Sequence, residues 1–186
     1  METAVPSGLA ELRHAFGPDG HYGKWLRRRD TIVNIDGVLF VHGGVSPTVA
    51  EWGCVGINRQ IRRELTTGFA ELIQQPLASL AARPDGPLWF RGLAQEDEHT
   101  FAHEVDTILA SMQAHMIVIG HTIPSSGRVT RRFGGRVIQI DTGMLASHYP
   151  HGRASAIELR GGKLTAIYED GREAVASPAS DRRDRY

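Results

Sequence analysis

Val38-Leu39-Phe40-Val41-His42-Gly43-Gly44-Val45-Ser46-Pro47 is the stretch on which the reading of this chain turns. Four apolar residues in a row read as a strand buried on both faces, and a histidine stands where that strand ends. Two glycines then let the backbone turn sharply and let a ligand approach closely. The pattern returns in Met116-Ile117-Val118-Ile119-Gly120-His121-Thr122-Ile123-Pro124: apolar strand, glycine, histidine, and a loop stopped by proline. Ligands of open α/β sheets sit off the carboxyl ends of the strands. If the two strands run the same way, His42 and His121 meet at one sheet edge, within reach of one ion. A metal is the simplest reason to want two neutral imidazoles there.

The chain has 186 residues, enough for one domain with a real core. Its 21 basic and 21 acidic residues cancel, so no overall field favours nucleic acid or a membrane. The single cysteine, Cys54, excludes an internal disulfide framework and a cysteine-only zinc site. No apolar run approaches the ~18 residues of a spanning helix. The first residues, Met-Glu-Thr-Ala-Val-Pro, lack the basic start and apolar stretch of a signal peptide, so a cytoplasmic location is expected. His14, His21, His99 and His103 lie off the core pattern and read as solvated.

Working outward, Thr31 to Ile35 is β-branched, and Asp36-Gly37 joins it to the Val38 strand as a two-residue hairpin turn. A short helix is expected over Glu11–Phe16, ended by the turn Gly17-Pro18-Asp19-Gly20. The run Arg27-Arg28-Arg29 reads as a solvated helix end. After Pro47 the pattern is helical: Ile57, Ile61 and Leu65 share one face, and Phe69, Leu72 and Ile73 extend the apolar content. Leu88 to Gly92 has no helical period and reads either as an edge strand or core plug with an incidental arginine, or as an arginine fork beside a rigid wall, suited to a phosphate. The clearest helix is expected over Glu96–Met112, with Phe101, Val105, Ile108, Leu109 and Met112 as its stripe and acids in its first turn. Hairpins are expected over 127–141 and over 154–168. The expected organisation is a single α/β domain with a mixed sheet over 1–172, followed by a disordered tail over 173–186 rich in Ser, Pro, Asp and Arg.

A lone histidine at a strand end is weak evidence, but the matched pair is stronger. Two histidines do not complete a catalytic zinc site, which takes at least three protein ligands. Asp141, at the end of a third strand, could be a further ligand, a partner that orients an imidazole, or only a turn cap.

Five blocks carry a resemblance, in order along the chain: Gly20-His21-Tyr22-Gly23-Lys24-Trp25, His42-Gly43-Gly44, Gly86-Pro87-Leu88-Trp89-Phe90-Arg91-Gly92, Gly120-His121-Thr122 and Ile140-Asp141-Thr142-Gly143-Met144. Over roughly residues 20 to 170 the chain resembles the second half of a calcineurin-like metallophosphoesterase, of the bacterial branch near the Shewanella-like protein phosphatases. The resemblance implies a four-layer α/β/β/α sandwich and a centre of two divalent ions, Mn, Fe or Zn, that hydrolyses phosphate esters. It makes His42 and His121 metal ligands and Arg91 a phosphate contact. The Gly-Asp-x-x-Asp-Arg and Gly-Asn-His-Glu motifs of the family's first half do not occur in this sequence, and Asp-x-His occurs only as Asp19-Gly20-His21 and Asp97-Glu98-His99, neither of which follows an apolar strand. The chain therefore resembles such an enzyme without its amino-terminal half, which would be its missing partner.

Two functions follow as expectations. One is metal-dependent hydrolysis of phosphate monoesters (phosphoprotein, nucleotide or small phosphoester) with only part of the site encoded here. The other is a phosphate-binding or regulatory module without a complete metal centre. A metal-free hydrolase with a histidine base lacks a nucleophile, since Ser46 precedes a proline and Cys54 has no base nearby in sequence. A phosphorylated substrate, and neither nucleic acid nor membrane, is the expected partner.

Overall fold

Two sheets lie face to face, and helices cover the outer side of the larger one. The structure is a computed structural model and describes residues 6–67, 76–145 and 147–176. Helices α1 (Leu9–Phe16) and α2 (His21–Leu26) form a small hairpin ahead of the first sheet. Strand β1 (Ile32–Ile35) then pairs antiparallel with β2 (Val38–Val41). Asp36 and Gly37 between them have φ of 51° and 79°, the two left-handed residues that the tightest hairpin turn requires.

The remaining α-helices among the described residues are α3 (Pro47–Ala50), α4 (Gly53–Thr67), α5 (Gly92–Gln95) and α6 (Ala102–Ser111). Strand β3 (Met116–Ile119) runs parallel to β2, and β5 (Val137–Gln139) runs parallel to β3. Strand β4 (Thr130–Arg132) closes the far edge antiparallel to β5, giving the order β1-β2-β3-β5-β4. A separate antiparallel meander follows: β6 (Ser155–Arg160), β7 (Lys163–Tyr168) and β8 (Gly171–Ala176).

The strand alternation explains why β2 and β3 read as unbroken apolar runs. Leu39, Val41, Ile117, Ile119 and Val137 point to the helices and pack with Val49, Ile57, Ile61, Val105 and Ile108. Val38, Met116, Val118 and Ile138 point the other way and pack with Leu164, Ala166, Tyr168 and Val175 of the meander. Both faces of these strands are therefore dry. Helices, sheet and second sheet make three layers among the described residues, against the four that the resemblance implies for the whole family fold.

Four local expectations change. Residues 97–101 are not helical: Asp97 accepts the amides of His99 and Thr100 at 3.0 Å each, so the acids expected to start a helix shape a turn before α6. Leu88 to Gly92 is not an edge strand, because Gly86 accepts the amides of Trp89 and Phe90 and curls the segment into a turn that enters α5. Residues 173–176, expected in a tail, belong to β8, held by Glu173 to Arg128 and by Arg172 to Glu158. Arg27 is not merely solvated; it donates to the carbonyls of Leu65, Phe16 and Gly17 and ties the α1–α2 hairpin to α4. Phe69, Leu72 and Ile73, and residues 177–186, lie outside the described residues. Among those described, no helix is long and apolar enough to cross a membrane.

Candidate functional site

Strand register delivers the two histidines to one edge. Val41 is paired with Ile119, and the Gly120 amide donates to the His42 carbonyl at 2.8 Å, carrying the ladder one residue past both strands. His121 then adopts a left-handed backbone with φ of 64°, uncommon outside glycine, which turns its ring back over the strand ends. His42 Nε2 stands 3.1 Å from His121 Nδ1, with ring centroids 4.9 Å apart. Two imidazole nitrogens bound to one ion at about 2.0–2.1 Å sit roughly 3–3.4 Å apart. The pair has the spacing of two donors to a single cation.

Electrostatics keep His121 in the form a metal needs. Burial pushes its pKa below the ordinary histidine range, the charges of Arg91 and His42 push it the same way, and the Asp141 carboxylate opposes them. The other ring nitrogen, Nε2, is buried without a hydrogen-bond partner among the described residues. A buried polar atom in that condition calls for a ligand or a solvent molecule. Asp141 itself caps its own turn, accepting the Gly143 amide at 3.1 Å. The turn is moored below by Thr142, whose hydroxyl donates to the Arg153 carbonyl at 2.8 Å.

Arg91 reaches this edge because of the two glycines after His42. The Gly43 amide donates to the Pro87 carbonyl at 2.8 Å, so the 86–92 segment crosses directly on the glycine backbone. A Cβ at Gly43 would stand 2.9 Å from the Leu88 carbonyl, a backbone contact with no room to yield. From that crossing Trp89 sets its ring perpendicular to His121, with centroids 5.3 Å apart, and its indole N–H donates to the Ala81 carbonyl at 3.0 Å. Arg91 is exposed and donates to the Thr122 hydroxyl at 3.1 Å and toward the His121 carbonyl at 3.5 Å. Thr122 belongs to the Gly120-His121-Thr122 block, but the sequence alone assigned it no role in the site.

The site is thus two imidazoles, a guanidinium and an indole wall around one exposed strand edge. Among the described residues no group of three or more His, Cys, Asp or Glu could hold an ion. His14, His21, His99 and His103 are all exposed, as expected of solvated histidines.

No protein-family model matches the chain. Relatives do. Shewanella-like protein phosphatase 1 of Plasmodium berghei is 25% identical over 159 residues, 83% of this chain and 44% of that protein. Shewanella-like protein phosphatase 2 of Arabidopsis thaliana is 27% identical over 150 residues, 77% of this chain and 37% of that protein. The crystal structure of a cold-active protein-tyrosine phosphatase from a psychrophilic Shewanella superimposes with a TM-score of 0.70 at 30% identity, covering 87% of this chain and 47% of that one. The chain spans less than half the length of each. Over 77–87% of its length the chain is thus similar to Shewanella-like protein phosphatases and to the Shewanella cold-active phosphatase, in agreement with the strand-end blocks.

Proposed function

We propose that this chain forms part of a metal-dependent phosphomonoesterase acting on phosphoproteins, to which it contributes two metal-binding imidazoles and a phosphate-binding arginine. The observation that carries the reading is the 3.1 Å approach of His42 to His121, with Arg91 tied to Thr122 beside them. The names of the relatives, protein phosphatases and a protein-tyrosine phosphatase, favour a phosphorylated side chain as substrate.

His42 and His121 would hold one ion through Nε2 and Nδ1, and bound divalent ions would supply positive charge at the phosphate oxygens and a more acidic water. Arg91 offers a planar fork to the equatorial oxygens, where charge is densest. Trp89 covers one side of His121 and keeps water from it. The remaining donors would come from the family's first half, whose Gly-Asp-x-x-Asp-Arg and Gly-Asn-His-Glu motifs this sequence lacks. That shortage also supports a second reading, a phosphate-binding module without turnover.

Calorimetric titration with Mn²⁺ and turnover of a generic aryl phosphate test the proposal together. The 186-residue chain is expected to bind Mn²⁺ weakly, to lose that binding in His42→Ala and in His121→Ala, and to show little or no turnover. Binding unchanged in both variants would remove the metal role from the pair. Robust turnover abolished by chelator would show that the chain holds a complete site.

Arg91 is tested in a complete enzyme that carries the family's first half. Arg91→Lys keeps the charge but loses the two-point geometry, so kcat/KM is expected to fall about tenfold, roughly 1.4 kcal/mol, with metal content unchanged. Unaltered kcat/KM would leave the phosphate to the metals alone.

A further inference from the structure

A groove of about 410 Å³ opens beside Arg91, lined by Ala82, Pro84, Trp89, Phe90, Gly92, Glu96 and Phe101. It is not the histidine edge itself but shares two residues with it, Arg91 and Trp89. Its walls are apolar and largely aromatic, and its charged groups have opposite sign: Arg91 at one lip, and Glu96 one turn of α5 further on. Phe90 and Phe101 are rigid walls, since their rings pack together at 6.4 Å and Phe101 packs in turn on Phe133 at 6.3 Å. Trp89 is fixed by its indole bond to Ala81.

An apolar slot would suit an aliphatic or aromatic side chain. A carboxylate in the same slot changes the ligand it fits. A lysine or arginine lays an aliphatic stem along apolar surface and places its charge at the end. Aromatic faces attract such a cation, and a carboxylate within reach pairs with it. An acidic side chain in this slot would meet Glu96 and be repelled. Among the described residues no ion pair neutralises the Glu96 carboxylate: Arg132 donates to the backbone carbonyl of Glu96, and its own ion pair is with Glu98, at 3.4 Å. Arg83, near Pro84, is paired with Asp85 at 2.7 Å.

We infer that this groove is a specificity pocket for a basic side chain that flanks the phosphorylated residue of a protein substrate. Phosphate sits at Arg91, the neighbouring Lys or Arg lies between Trp89 and Phe101, and its charge pairs with Glu96. The inference rests on the phosphoprotein reading above and deepens it with a sequence preference.

Fluorescence anisotropy with the 186-residue chain tests it, using labelled phosphopeptides that differ only at the residues on either side of the phosphorylated one, Lys, Ala or Glu. Unphosphorylated versions serve as a reference. The Lys peptide is expected to bind about tenfold more tightly than the Glu peptide, a ratio that Glu96→Gln reduces to about threefold or less. Trp89→Ala should weaken the Lys peptide more than the Ala peptide. Equal affinity for the Lys and Glu peptides, with both bound better than their unphosphorylated forms, overturns the pocket and leaves the phosphate site standing. Binding that is absent, or indifferent to phosphorylation, overturns both. A Lys preference unaffected by Glu96→Gln also overturns the pocket, because the discrimination then lies elsewhere.

Discussion

Glu64→Ala is expected to lower folding stability by about 3–5 kcal/mol at neutral pH. Glu64 lies on α4 with only 7% of its surface exposed. Its carboxylate accepts from Gln60 Nε2, Ser79 Oγ and the Leu80 amide at 2.8 Å each, and from the Ala81 amide at 2.9 Å. Truncation leaves two amides and a hydroxyl without their acceptor in a buried setting, at about 1–3 kcal/mol for each group that water cannot reach. The damage extends to the site, since Ala81 is the residue that accepts the Trp89 indole N–H. Denaturant unfolding gives the stability directly; a loss under about 1 kcal/mol would mean that the 79–81 segment finds other partners.

The same residue sets a pH dependence whose sign is fixed. Burial raises the Glu64 pKa, but the hydrogen bonds from Gln60, Ala81, Leu80 and Ser79 outweigh it and hold the carboxyl below the ordinary glutamate range. A folded-state pKa below the unfolded one stabilises the fold above the unfolded value of about 4.3. That contribution disappears as pH falls through the folded pKa. The gap between wild type and Glu64→Gln should therefore be widest near pH 7 and should close as the solution is acidified below about pH 4. A gap that widens with acid would reverse the assignment.

The strand ends were legible because the chemistry there is local. Val38–Val41 and Met116–Ile119 are apolar throughout, which follows from burial against helices on one face and the meander on the other. The hairpin at Asp36-Gly37 was legible for the same reason: the turn's backbone demands are met by two adjacent residues. Parallel pairing of β2 and β3 then made the meeting of His42 with His121 a matter of register. What escaped reading depends on distant contacts. Strand β8 buries Val175 but shows no clear alternation, and its charged residues are paired with Arg128 and Glu158 from elsewhere in the chain. Arg91 was singled out from its aromatic neighbours, but its place beside His121 is set by the tie between Gly43 and Pro87, which no local pattern announces.

That tie makes Gly43→Ala the most informative glycine substitution in the chain. The new methyl would press on the carbonyl carbon and oxygen of Leu88 at 2.9 Å and on the Trp89 amide nitrogen at 3.0 Å. All three are backbone atoms, so relief requires the 86–92 segment to lift away and give up the bond between the Gly43 amide and the Pro87 carbonyl. Overpacking costs about 1–3 kcal/mol and the lost hydrogen bond about 0.5–1.5, so a loss of roughly 2–4 kcal/mol is expected. The lifted segment carries Trp89 and Arg91, so phosphate affinity should fall about tenfold or more even where the protein remains folded. Gly120→Ala is the control. Its Cβ would meet only the His42 carbonyl oxygen at 3.4 Å, an ordinary contact, and its backbone is not left-handed. It should change stability by less than about 1 kcal/mol and leave phosphate affinity near wild type. Denaturant unfolding, phosphate titration and the Trp89 indole resonance measured on both variants separate the cases. If Gly43→Ala holds its phosphate affinity and an unmoved Trp89 resonance, the two glycines after His42 serve only the turn, and Arg91 is positioned by Thr122 alone.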